Sequence, residues 1–421
     1  MARPTRGRFY GWRIVGGSFV ILLVTVGIGL YVPPVFLIPL QQHFGWSRAA
    51  IATGSAMAAI MSGVVSPLVG IWIDKYGSRK VMTAGALLMG GAFALLSLMR
   101  SLWQLYAFNM LAAIGITCVA WIPNQTLISN WFERQRGLAM GIAMTGVGFG
   151  GLIMAPCAAL LIAQLGWRLA FAVLSVFILV VVVTTVLATV RSRPGDMGLL
   201  PDGEATSAAP AAAGAGREIA AGFELAQAVK TKAFWILSVG HFLGVFASFS
   251  IVGHLVAFLR DVGFDSRVAA VALGLAVGVS VVGRVLVGFL ADRSSKRNMA
   301  SAAFALYAVA ALLLLSIQSA GALPAFVITF GLALGGAAVM VPLLVGECFG
   351  LLAFGKILGV IMISATLGGA AGPVITGRIY DVTGSYNLAF MLHAAVFLAA
   401  ALAFHLLPRP EIPEPVMKSA R

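Results

Sequence analysis

Gly70-Ile71-Trp72-Ile73-Asp74-Lys75-Tyr76-Gly77-Ser78-Arg79-Lys80 is a short polar break between two apolar runs, and parts of it occur twice. Gly70, Asp74 and Arg79 return 218 positions later as Gly288, Asp292 and Arg297. Gly137 and Gly141 return at the same offset as Gly355 and Gly359. Phe132 returns after 217 positions as Phe349, and Leu169-Ala170-Phe171 returns after 219 as Leu388-Ala389-Phe390. A single glycine match carries little. A nearly constant offset across separate loops marks an internal repeat whose two copies run in the same orientation.

What lies between these loops is almost all apolar. Hydrophobic residues make up 60% of the 421, charged residues 10%, and the mean hydropathy is +1.00. Soluble domains are nearer a quarter charged, so the bilayer is the expected solvent. Windows long enough to cross it fall near residues 12–40, 48–72, 80–99, 103–127, 137–164 and 168–190, then 232–259, 267–291, 298–317, 322–345, 356–378 and 386–407. The pattern predicts an all-α membrane protein of about twelve spans in two six-helix halves. The expected divisions are 1–190, a cytoplasmic linker 191–231 and 232–421. The linker is low in complexity from Ala205 to Gly216, and Phe223 to Val229 reads as a short amphipathic surface helix.

The net charge of +14 does not point to nucleic acid, because the cations gather in short loops rather than on one face. Arg3, Arg6, Arg8 and Arg13 precede the first span; Lys75, Arg79 and Lys80, then Arg134 and Arg136, then Arg191 and Arg193, then Arg293, Lys296 and Arg297 occupy alternate loops. By the positive-inside rule both termini are cytoplasmic. The basic start and Ile14 to Val32 form an uncleaved first helix, since no clear A-x-A cleavage site follows. Cys118, Cys157 and Cys348 lie in or near spans without metal-like spacing, which gives neither a disulfide framework nor a metal site.

The opening stretch resembles the signature G-x-x-x-D-x-x-G-x-[RK]-[RK] of the major facilitator superfamily. A basic loop that only fixes topology explains the cations but not the glycines or Asp74. Gly70 permits close helix approach, and Asp74 can pair with cations or cap a neighbouring helix end. Gly70, Asp74, Gly77, Arg79 and the repeated Asp292 are the expected gating residues. Three further segments are similar to the branch of monocarboxylate porters and oxalate:formate antiporters. They are Tyr10-Gly11-Trp12-Arg13-Ile14-Val15, Trp131-Phe132-Glu133-Arg134-Gln135-Arg136-Gly137-Leu138-Ala139, and Gly283-Arg284.

All fourteen Asp and Glu residues lie in loops or at span ends, which argues against cationic substrates and against a proton relay of membrane carboxylates. Arg284 is the deep cation, about seven residues and hence about 10 Å inside the eighth span. Burial of such a group costs about 2.5–3.5 kcal/mol on insertion scales, so it needs a compensating role. Its repeat counterpart is Ser66, so it does not belong to the shared scaffold. Snorkelling to headgroups is the plain alternative. In the resembling family an arginine at this place binds the substrate carboxylate, and a guanidinium fork suits that task.

His254 on the seventh span is the expected proton partner, since an imidazole titrates near neutral pH and bacterial relatives carry a histidine near this point. Ser280 lies one turn before Arg284. Tyr31, Trp121, Asn124, Thr145 and Thr366 complete the expected substrate-binding set, an aromatic wall with few hydrogen-bonding groups. His241, His393 and His405 rank below His254. Mammalian members of the family carry a lysine on the first helix and an aspartate four residues before the arginine; this chain has no cation from Ile14 to Leu40 and has Ser280. The antiporter type has a lysine midway along the eleventh helix, and none occurs from Ile361 to Gly372.

The resemblance implies a monomeric carrier of small monocarboxylates such as lactate or pyruvate, coupled to a proton, in the lipid bilayer of a bacterial inner membrane. It needs no cofactor and is not an enzyme; no nucleophile, metal cluster or carboxylate pair lies in the spans. An organic-anion antiporter is the alternative carrier. A membrane sensor is the alternative from another class, and it would bring an added signalling domain.

Overall fold

The computed structural model describes residues 9–203, 222–317 and 321–410. Arg3, Arg6, Arg8 and the low-complexity stretch 205–216 lie outside the described residues. Among the described residues every element is helical, apart from one isolated bridge between Gly222 and Gly350. In chain order they are α1 (Gly11–Val26), α2 (Leu37–Phe44), α3 (Arg48–Tyr76), α4 (Ser78–Ser97), α5 (Leu102–Val119), α6 (Trp121–Trp131), α7 (Arg136–Phe177) and α8 (Val183–Thr189). The short α9 (Leu225–Ala228) is followed by α10 (Lys232–Asp261), α11 (Ser266–Ala291), α12 (Lys296–Leu315), α13 (Ala322–Phe349), α14 (Phe354–Thr383) and α15 (Asn387–His405).

Eleven stretches among the described residues are long and apolar enough to cross a membrane. One of them, Arg136–Thr189, turns at Gly166, where φ is 76° and ψ 164°. That backbone is open to glycine and strained for other residues, so the stretch divides into two helices and the spans among the described residues number twelve. Large apolar side chains such as Val64, Leu152, Leu160, Val374 and Leu402 are exposed, as suits helices solvated by lipid.

Besides the sixth span, which passes through a π-turn at Ile178–Val182, two spans are irregular where the sequence pattern alone reads as continuous. Pro33 and Pro34 cannot donate to a helical ladder, and the first span passes from α1 through a π-turn (Gly27–Tyr31) and a 3-10 turn (Pro33–Phe36) into α2. The fourth span breaks between α5 and α6. Pro123 has no N–H to give the Val119 carbonyl, and the Asn124 amide takes its place, donating to Val119 O at 2.7 Å and to Ala120 O.

The repeat recurs as packing. Gly146 and Gly150 of α7 lie directly against the Phe19 and Leu23 carbonyls of α1, where a Cβ would collide. Gly368 and Gly372 of α14 meet the Phe242 and Phe246 carbonyls of α10 in the same way. Each half thus joins its first and fifth spans through a small-xxx-small seam. The arginines of the repeated loop also match. Arg79 donates to the Leu187 carbonyl at 2.9 Å, and Arg297 to the Leu407 carbonyl at 3.5 Å, so each cation sits at the C-terminal end of the sixth span of its half.

By mutual contact the chain divides into one unit of Met1–Ser62 with Trp72–Ile219 and a second of Gly63–Ile71 with Ala220–Arg421. The visible ends of the linker are each fixed to their own unit. Asp202 Oδ2 accepts from the Glu133 and Arg134 amides at 3.1 and 2.7 Å, while the Phe223 amide donates to the Phe349 carbonyl at 2.8 Å.

Candidate functional site

In the second unit, α11 and α13 touch backbone to backbone because glycines line their seam. Gly331 faces the Ala276 carbonyl, Gly283 faces the Leu332 carbonyl, and Gly335 faces the Ser280 carbonyl and the Arg284 amide. This contact fixes the height and rotation of α11 at Arg284, which is only 6% exposed. Ser280, fully buried, returns its hydroxyl to the Val277 carbonyl at 2.6 Å. The Tyr307 hydroxyl of α12 lies near Ser248 of α10 and within the field of Arg284, while the Ser248 hydroxyl itself donates to the Val245 carbonyl at 3.3 Å. Tyr307 is itself held by a flat stack on Phe397, with centroids 4.5 Å apart. Tyr307 of α12 thus shares a neighbourhood with Ser248 of α10 and with Arg284 of α11. Neither Ser248 nor Tyr307 is conspicuous in the sequence, because only packing brings α10 and α12 to this point.

Replacing Gly335 by valine should force α11 and α13 apart. The expected loss is about 1–3 kcal/mol, read as a lower melting temperature of the purified protein in detergent. Gly278→Ala on the same helix as Arg284 is the control; a Cβ there meets nothing within 4 Å, and its melting should match wild type.

His254 is half-buried, and both ring nitrogens are engaged. Nδ1 lies 3.1 Å from the Tyr386 hydroxyl and Nε2 2.9 Å from the Pro373 carbonyl. A carbonyl can only accept, so Nε2 carries the hydrogen and in the neutral ring Nδ1 accepts from tyrosine. Burial, and after it the charge of Asp261, hold the Tyr386 hydroxyl above the ordinary tyrosine range, so it keeps its proton. His393 is fully buried and bonds Thr376 Oγ1 through Nε2 at 3.0 Å. His254 stands six residues beyond Ser248 on α10, about 9 Å along the axis.

The other expected site residues are spread over both units. Tyr31 packs its ring on Gly151, and Thr145 bonds back to the Ile142 carbonyl at 2.6 Å. Trp121 is half-buried at the start of α6. Asn124 is fully buried and spends its amide hydrogens on the break in the fourth span. Thr366 of α14 lies against Gly63, which groups with the same unit. Gly70, in that same segment, backs onto the Gly355 carbonyl so closely that a Cβ would clash. Gly77 has a φ of 82° and its amide donates to Ile73; Asp74 and Asp292 are half-buried. At the linker end of the second unit, Glu347 pairs with Lys296 and Arg409.

A sequence profile described as Major Facilitator Superfamily matches residues 17–349 and 279–420. The chain belongs to the major facilitator superfamily. Its superfamily relatives include monocarboxylate transporter 12 of Mus musculus, 27% identical across 100% of this chain and 90% of that one. Monocarboxylate transporter 13 of Bos taurus is 28% identical across 97% of this chain and 91% of its own length. Two solved structures share the fold at 14% identity. The human organic anion transporter MFSD10 aligns with a TM-score of 0.71 over 94% of this chain and 99% of its own. A variant of the E. coli fucose:proton symporter FucP aligns with a TM-score of 0.72 over 96% and 100%. The protein is a multi-pass membrane transporter of this superfamily and not an enzyme.

Proposed function

We propose that the protein carries small monocarboxylates of the lactate and pyruvate type, together with a proton, by alternating access of its two halves. The observation that carries this reading is Arg284: a permanently charged fork, almost wholly buried within a membrane helix, with the Tyr307 hydroxyl within its field. The names of the monocarboxylate transporter relatives agree with it. Tyr31, Trp121, Asn124, Thr145, Ser280 and Thr366 line the path of the acid, and Gly70, Asp74, Gly77, Arg79 and Asp292 gate it. The carrier works as a monomer in a bacterial inner membrane with both termini cytoplasmic, built as 1–190, linker 191–231 and 232–421.

Proton coupling follows from charge. A carboxylate bound at Arg284 offsets the charge of the guanidinium, so the bound anion favours a proton nearby and the proton favours the anion. Proteoliposomes offered labelled acids should take up lactate faster under an inward proton gradient, and His254→Ala should flatten the pH profile. Wild-type uptake that depends only on a counter-anion would replace symport by antiport.

A further inference from the structure

At the linker end of the first unit two guanidinium groups meet at one neutral oxygen. Arg79, in the first turn of α4, donates to the Leu187 carbonyl at 2.9 Å, and Arg191, just past α8, reaches the same oxygen at 3.4 Å and the Val190 carbonyl at 3.2 Å. The helix end does not need both cations. The Tyr10 hydroxyl already serves the Ala188 and Thr189 carbonyls, and the Trp131 indole serves that of Arg191. Arg79 is also held from behind, its amide donating to Ser192 Oγ at 3.3 Å.

The second half shows what completes such a pair. Arg79 and Arg191 return at the offset of 218 as Arg297 and Arg409. Arg297 bonds the Leu407 carbonyl, but Arg409 is ion-paired with Glu347, which also takes Lys296 at 3.2 Å. Glu347 corresponds to Ser129 at an offset of 218 and to Asn130 at 217, and neither carries a charge. Asp74 and Asp292 belong to both copies, so they do not make the difference. Of the other acids at this end of the first unit, Asp196 accepts from the Arg193 amide at 3.1 Å, Asp202 accepts from the Glu133 and Arg134 amides, and Glu133 is exposed. The first half has kept both arginines without the carboxylate that the second half supplies.

We propose that an anionic phospholipid fills this place, its headgroup phosphate lying between Arg79 and Arg191 and doing for the first half what Glu347 does for the second. A phosphate offers several oxygens to two guanidinium forks at once. A lipid fits better than free phosphate because the two cations stand at the edge of an apolar surface. Leu187, whose carbonyl collects both arginines, is itself exposed, and Val180, Val176 and Val173 are exposed further along the sixth span at steps of seven, four and three. α4 packs against this span, the Ser175 hydroxyl donating to the Gly90 carbonyl at 2.7 Å, and it exposes Leu87 and Leu95. Exposed Lys80 and Arg193, next in sequence to the pair or two residues on, add attraction for a negative headgroup. Bound there, the lipid ties the first turn of α4 to the end of α8. The inference does not depend on which substrate the protein carries.

The test uses the purified full chain in detergent at about 0.15 M salt, where exposed charges are largely screened beyond about 8 Å. It is melted with phosphatidylglycerol, phosphatidylcholine or inorganic phosphate, and bound lipid is counted by native mass spectrometry. Phosphatidylglycerol should raise the melting temperature and be retained over phosphatidylcholine at least about tenfold, while inorganic phosphate at the same concentration leaves melting unchanged. Arg191→Gln keeps a donor for the Leu187 carbonyl but removes the charge and the fork, and it should weaken phosphatidylglycerol binding at least about tenfold. Arg193→Gln removes the same charge two residues away and should weaken it less than about threefold. Equal loss in the two variants makes the attraction a diffuse property of the surface and overturns the site, as does unchanged binding by Arg191→Gln. Equal retention of both lipids by the wild-type protein overturns it without recourse to any variant. Stabilisation by inorganic phosphate to the same extent replaces the lipid with a free anion and overturns the proposal as well.

Discussion

Arg284→Ala is expected to bring lactate transport below about 1% of wild type with the protein still in the membrane. Truncating one partner of a buried, hydrogen-bonded charge pair costs about 2–5 kcal/mol, which is roughly 30-fold to several thousandfold in affinity. Arg284→Lys should lose most of the activity too. The lysine point charge reaches the same region but cannot present two parallel donors to one carboxylate. Equilibrium binding of labelled lactate to purified variants, beside uptake, places the loss in the binding step. Near wild-type binding by Arg284→Ala would assign the guanidinium to the membrane headgroups instead.

The second large effect concerns charge on the substrate. Among the described residues, Arg284 is the charged residue counted as buried, and one cation neutralises one carboxylate. A dianion in the same partly dry site leaves a carboxylate unpaired, at a cost of at least about 3 kcal/mol, or roughly a hundredfold in affinity. Unlabelled pyruvate should therefore inhibit labelled lactate uptake at about a hundredth of the oxalate or succinate concentration, at a pH where the dicarboxylates are fully ionised. Equal inhibition by oxalate would require a second cation, and Lys356 and Arg378, near the two ends of α14, would be the first to mutate.

Much of the architecture is legible because the bilayer imposes a coarse rule. Each apolar window must supply a helix, and the loop from Gly70 to Lys80 announces its own duplicate. The breaks are harder to read. Pro123 is visible, yet a membrane proline often bends a helix without dividing it, and the Asn124 amide that satisfies the freed carbonyls is a tertiary solution written in one residue. The glycine seams are hidden for another reason. Gly146 and Gly150 match Gly368 and Gly372 at an offset of 222 rather than 218, so small insertions conceal the equivalence until the backbones are seen in contact.

The candidate site divides similarly. Arg284 stands out in sequence because a charge so deep demands a reason. Tyr307 does not, since a tyrosine in an alanine- and leucine-rich helix has many uses, and only the meeting of α10, α11 and α12 ties it to the guanidinium. His254 is legible as a titratable group, but its partners Tyr386 and Pro373 are 132 and 119 residues away.

The matched arginines carry a consequence for how the chain is made. Arg79 emerges from the ribosome early, yet the carbonyl it holds belongs to Leu187, 108 residues later. Arg297 likewise waits for Leu407, 110 residues on. Each of these loops is therefore sealed only when the last helix of its own half has left the translocon, and the first half has its seal available before the second half is synthesised. Insertion into the membrane then proceeds in two closures rather than one, and a nascent chain arrested before Leu407 would carry a finished first half beside an unlatched second.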